Sequence, residues 1–107
     1  MAIVYTMIVG FGDAEGTTNN VHRNKAILLQ LLHENHPDGF TFYESIGCFQ
    51  GKEEPSATVV FIAENLNETK TIAFRANLFR TAQEYRVAAQ QKEVWITRRE
   101  EDLKIIK

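Results

Sequence analysis

Two segments of this chain, Ile3 to Val9 and Ala57 to Ala63, are apolar on both alternating faces and rich in β-branched and aromatic side chains. That pattern belongs to strands with neighbours on either side and material over both faces, so both read as central strands. Gly10 and Gly12 end the first, and Asp13 to Asn20 is dense in turn and helix-capping residues. From Val21 to about Asn35, Val21, Leu28, Leu29 and Leu32 recur at helical spacing until Pro37-Asp38-Gly39 stops them.

Between the two central strands, Phe40 to Phe49 partly alternates, with Phe40, Phe42, Ile46 and Cys48 on one side and Thr41, Tyr43 and Ser45 on the other. This predicts a half-exposed strand, joined through a polar turn over Gln50 to Ser56 to the strand that follows. Beyond Glu64 a long helix runs to about Gln90, with Phe74, Leu78, Ala82, Tyr85 and Ala89 lining one face. Glu93 to Thr97 is the last strand, followed by the charged run Arg98 to Asp102 and the tail Leu103 to Ile106. The order β-α-β-β-α-β with right-handed crossovers predicts an α+β fold, a ferredoxin-like two-layer sandwich with an antiparallel sheet.

With 107 residues the chain suits one domain spanning 1–107, because two halves would each bury too little core. It is 44% hydrophobic and 24% charged with a net charge of -2, which argues against disorder and against generic nucleic-acid binding. One cysteine, Cys48, allows no internal disulfide, and the first residues lack a signal-peptide pattern, so a cytoplasmic location is expected. No apolar run approaches the roughly 20 residues that cross a bilayer, and no membrane partner is expected.

Two helices cover only one face of such a sheet. Tyr5, Met7, Phe61 and Trp95 are expected to leave an apolar patch on the other, and a second copy of the chain is the simplest cover. A homodimer follows as an expectation. The tail Leu103 to Ile106 folding across that face, or pairing with a neighbouring edge, is the alternative.

Pro37-Asp38-Gly39-Phe40-Thr41, Gly47-Cys48-Phe49, Glu54-Pro55-Ser56 and Gln91 with Val94 resemble motifs of a family known as domain of unknown function 3574. The resemblance covers roughly residues 30–97 and differs at Phe49, where that family usually has Trp. It implies a shared fold and carries no assigned reaction. The first strand and the Gly10 to Asn20 loop lie outside it.

Candidate chemistry is sparse. Gly10, Gly12 and Gly16 fall as G-x-G-x-x-x-G, without a P-loop lysine and with Asp13 and Glu15 opposing an anion, so the loop reads as a connection rather than a phosphate cradle. His33 and His36 lack a third metal ligand and suit a helix C-terminus. Cys48 has no adjacent base. Glu53 and Glu54 read as solvated turn residues, whereas Glu44 interrupts an apolar strand face and marks either an edge charge or a pocket wall. Asn67-Glu68-Thr69 reads as helix-capping chemistry. No cofactor or metal is called for.

Two functions are compatible with this. The first is a non-enzymatic binding or interaction module, a phage-type modulator of a host protein, acting through the open sheet face or the Gly10 to Asn20 loop. The second is a small dimeric enzyme handling an apolar molecule in an aromatic cavity between sheet and helices. The candidate residues are Tyr5, Met7, Tyr43, Glu44, Phe61 and Trp95, with Gly10, Gly12 and Asp13 in the loop; binding of a protein partner or small ligand is favoured over catalysis.

Overall fold

The chain folds as β1 (Ala2–Gly10), α1 (Val21–Asn35), β2 (Thr41–Phe49), β3 (Lys52–Glu64), α2 (Glu68–Ala88) and β4 (Trp95–Glu101). The structure, a computed structural model, describes residues 2–12, 20–64 and 66–107. Its sheet has the order β2-β3-β1-β4, with every neighbouring pair antiparallel. This is the expected ferredoxin-like arrangement with β1 and β3 central.

Register decides which side chains meet. Tyr5, Met7 and Val9 pair with Phe61, Val59 and Ala57, and all six are buried under Leu28 and Leu32 of α1 and Leu78, Ala82 and Tyr85 of α2. Full burial of a side chain of Leu or Met size stabilises by about 1.5–3 kcal/mol, so this stack is the main source of cohesion. Side chains also bridge the helices, with Asn77 Nδ2 donating to Asn35 O (2.6 Å) and Asn35 Nδ2 to Thr81 Oγ1 (3.0 Å).

Three boundaries differ from the sequence expectation. The hairpin turn is two residues, Gln50 and Gly51, rather than seven. Both have positive φ, 52° and 77°, which suits the right-handed twist of a tight hairpin. β3 therefore starts at Lys52, and Phe49–Lys52 through Ile46–Pro55 form a two-stranded ribbon beyond the end of β1. β4 continues through Arg98 to Glu101, because an edge strand tolerates solvated charges, and Arg98–Glu100 and Arg99–Glu101 pair along it. α2 begins at Glu68, where Asn67 accepts from Lys70 N (2.8 Å).

The expected open-face patch is corrected by the same register. Tyr5, Met7 and Phe61 lie beneath the helices, and only Trp95 of that set faces the other way, because it pairs with Ile8, one residue out of phase with Tyr5 and Met7. The open face carries instead a row across all four strands, Tyr43–Thr58–Ile8–Trp95. Ile8, Tyr43, Ile62 and Trp95 are 38%, 50%, 55% and 58% exposed. Leu103, Ile105 and Ile106 of the tail are exposed as well. No helix among the described residues is long and apolar enough to cross a membrane.

Candidate functional site

Where β1 runs out, Gly10-Phe11-Gly12 is held by four side chains from elsewhere in the chain. Asn24 Nδ2, on α1, donates to Phe11 O (2.8 Å) and lies 3.4 Å from Gly12 O. Tyr85, on α2, donates its hydroxyl to Gly10 O (2.5 Å), and Gln91, just past α2, donates to Gly12 O. Phe11 N donates to Pro55 O (2.9 Å), and Gly12 N donates to Glu54 Oε1 (3.2 Å), both on β3. A buried backbone needs partners for its polar groups, and here the partners come from sequence separations of up to 79 residues.

Glu54 is therefore a held group. A Cβ added at Gly10 would overlap its carboxylate, lying 2.9 Å from Cδ, and would come 3.2 Å from Gln91 Oε1. Burial, reinforced by the Glu54 charge, pushes the Tyr85 hydroxyl well above its ordinary pKa of 10.0, so it stays protonated and keeps donating.

Two cavities flank this carboxylate. One of about 440 Å³ lies between the β2–β3 ribbon and the start of β4, with Ile8, Trp95, Glu54, Gln91, Lys52 and Lys92 among its walls. The other, about 530 Å³, lies between the start of α1 and the ribbon, walled by Phe11, Val21, Lys25, Glu44, Ile46 and Pro55. The first mixes an exposed indole with both signs of charge.

Of the sequence candidates, Trp95 and Gly10 line the first cavity, Gly12 holds its carboxylate, and Glu44 lines the second while pairing with Lys25. Tyr43 stands on the open face. Tyr5, Met7 and Phe61 are core, and the space expected for an aromatic cavity is filled: Phe74 lies 5.5 Å from Tyr5 and His36 4.7 Å from Phe61, ring centre to ring centre. Asp13 lies outside the described residues. His33 meets Phe40 edge-on and is exposed, whereas His36 is buried, so the two do not converge. Among the described residues no cluster of three metal-ligating side chains occurs.

Glu54 is the main residue that sequence reasoning missed. It reads as a solvated turn acid, but the tight hairpin moves it into β3 and turns it onto Gly10. Asn24 was signalled faintly by standing four residues before Leu28 on the buried face of α1. Gly47, Cys48, Glu54, Ser56 and Gln91, five residues of the motifs quoted for the family resemblance, all line the first cavity.

No family model and no curated protein matches this chain. Among solved structures, a phage SAM lyase in the apo state is similar with a TM-score of 0.65 at 17% identity, over 91% of this chain and 78% of that one. A phage SAM lyase in complex with S-methyl-5'-thioadenosine has a TM-score of 0.60 at 14% identity, over 92% and 81%. The de novo designed protein Foldit4 is similar at 0.56 and 13% identity, over 95% and 100%. At such identities the likeness is one of fold, and the ferredoxin-like sandwich is what this chain shares with phage lyases and with idealised designs.

Proposed function

We propose that this protein binds a cationic nucleoside of the S-adenosylmethionine type in the cavity beside Trp95, with Glu54 facing the positive charge. The observation that carries this is the Glu54 carboxylate, held by Gly12 N–H over the bare Cα of Gly10 on a cavity wall. The half-exposed indole of Trp95 offers a stacking surface for a purine, and such stacking is worth about 1–3 kcal/mol. Lys52 and Lys92 are suited to an amino-acid carboxylate. The fold likeness to a phage SAM lyase in complex with S-methyl-5'-thioadenosine supports the choice of ligand and a phage-type origin for the module.

Binding, rather than cleavage, is what this geometry favours. A carboxylate beside a sulfonium stabilises the charged ground state, and cleavage removes that charge, so the contact alone does not lower the barrier. The test is calorimetric titration with S-adenosylmethionine, with chromatography of the mixture for S-methyl-5'-thioadenosine. Saturable binding that Glu54→Gln weakens supports the reading; accumulation of the thioadenosine would make the protein a lyase; no heat and no turnover would end it.

A second reading concerns self-association. The row Tyr43–Thr58–Ile8–Trp95, extended by Ile62, is an apolar strip suited to a second copy of the sheet. Light scattering on the wild type and on Tyr43→Glu and Ile62→Glu, both away from the cavity walls, tests it: a dimer that these charges split supports a homodimer, and a monomeric wild type removes it. Kinship with the domain of unknown function 3574 family and a cytoplasmic location belong with these proposals, the former resting on the motif residues gathered at the cavity.

A further inference from the structure

We infer that Gly10 is a positioning residue whose missing side chain seats the Glu54 carboxylate, and that the site thereby distinguishes a charged ligand from its neutral thioether counterpart. The inference rests on the cavity reading above and deepens it by naming what sets the site's selectivity.

Glycine at position 10 has no conformational reason to be there. Gly39 and Gly51 have φ of 138° and 77°, backbone states that favour glycine, and nothing lies near the place of their absent Cβ. Gly10 has no such φ: it is an ordinary residue of β1, paired with Ser56. What its bare Cα provides is room, and Glu54 Oε1 fills that room. The same oxygen accepts from Gly12 N (3.2 Å), and that glycine's carbonyl is held by Gln91. Tyr85 holds the carbonyl of Gly10 itself. The carboxylate thus rests on a strand end that cannot shift without breaking bonds to α2 and to the segment after it. A held charge gives selectivity because it need not be ordered when the ligand arrives, whereas a swinging one loses side-chain freedom on binding.

Two ligands of nearly the same shape read this out: S-adenosylhomocysteine, a neutral thioether, and the stable amine analogue of S-adenosylmethionine in which a C–NH3+ group replaces the sulfonium. The wild type is expected to favour the cation by about tenfold or more, the scale of one charge-assisted contact. Gly10→Ala displaces the carboxylate and should bring that ratio close to one, as Glu54→Gln should, while affinity for the thioether changes by less than about threefold. Gly10→Ala keeping the wild-type ratio would overturn the inference.

A ligand-free measurement keeps the inference distinct from the function it rests on. If Gly10 is bare to seat Glu54, Gly10→Ala lowers Tm in the wild-type background and has a smaller effect beside Glu54→Ala, where only Gln91 Oε1, 3.2 Å from the added Cβ, still crowds it. Equal losses in the two backgrounds overturn the seating even if ligands bind. If neither ligand binds the wild type, the cavity reading fails and the selectivity with it, whatever the Tm cycle gives.

Discussion

Nε2 of His36 lies 2.9 Å from Oγ1 of Thr81 in the buried seam between α1 and α2. The Thr81 hydroxyl spends its one proton on Asn77 O (3.0 Å) and accepts from Asn35 Nδ2 (3.0 Å), so His36 is the donor in this contact. Burial first, and the Arg80 charge second, lower the His36 pKa below its ordinary 6.5. The unfolded chain takes up that proton more readily, so the stabilisation is complete above pH 6.5 and declines as pH falls from 6.5 through the lowered folded value. Urea unfolding on either side of that pH should show it, and the difference between wild type and His36→Gln isolates it from the carboxylates.

Tyr85→Phe removes the donor to Gly10 O and leaves that carbonyl without it, at a cost of about 1–2 kcal/mol. The raised Tyr85 pKa adds an alkaline signature: stability is complete below pH 10.0 and falls as pH rises above it, since the unfolded chain loses this proton first. Chemical denaturation in alkaline buffer should show a steeper fall for wild type than for Tyr85→Phe.

Asn24→Leu strips the amide from Phe11 O and Gly12 O inside a fully buried site. Gly12 O keeps Gln91 as its donor, so the expected loss is about 1–3 kcal/mol, the cost of leaving the buried Phe11 O without this partner. Amide hydrogen exchange should place the loosening at the end of β1 rather than throughout the sheet; uniform loss of protection would count against the clamp.

Gln50 holds φ of 52° in the two-residue hairpin turn, a region that asparagine enters more readily. Gln50→Asn should raise stability by roughly 0.5 kcal/mol, the scale of a backbone-preference change. Thermal unfolding checks this, and a fall in Tm would argue against the tight turn.

Much of the architecture was legible because it is local. The stripe Leu78, Ala82, Tyr85, Ala89 announces the buried face of α2, and the double apolarity of Ile3 to Val9 and Ala57 to Ala63 announces central strands. The length of the turn is not legible because Gln50-Gly51 sits within a longer polar run, where composition points to a loop and backbone geometry allows two residues. The place of Glu54 is hidden for the same reason: with a two-residue turn it is a strand residue.

The amino-acid sequence by itself determined element order, fold class and the buried face of α2, since these follow from periodicities of 3.6 and 2 within short windows; on α1 it marked Leu28 and Leu32 but not Asn24, and Leu29 is not part of the core. Tertiary structure decided the rest. Which face Tyr5 and Trp95 occupy depends on strand register, and a one-residue phase separates core from open face. The seat of Glu54 depends on contacts that span 42 to 79 residues of sequence, Glu54 on Gly12 and Gly10, Tyr85 on Gly10 and Gln91 on Gly12, a meeting that no local periodicity encodes and that only closing the sheet under its two helices brings about.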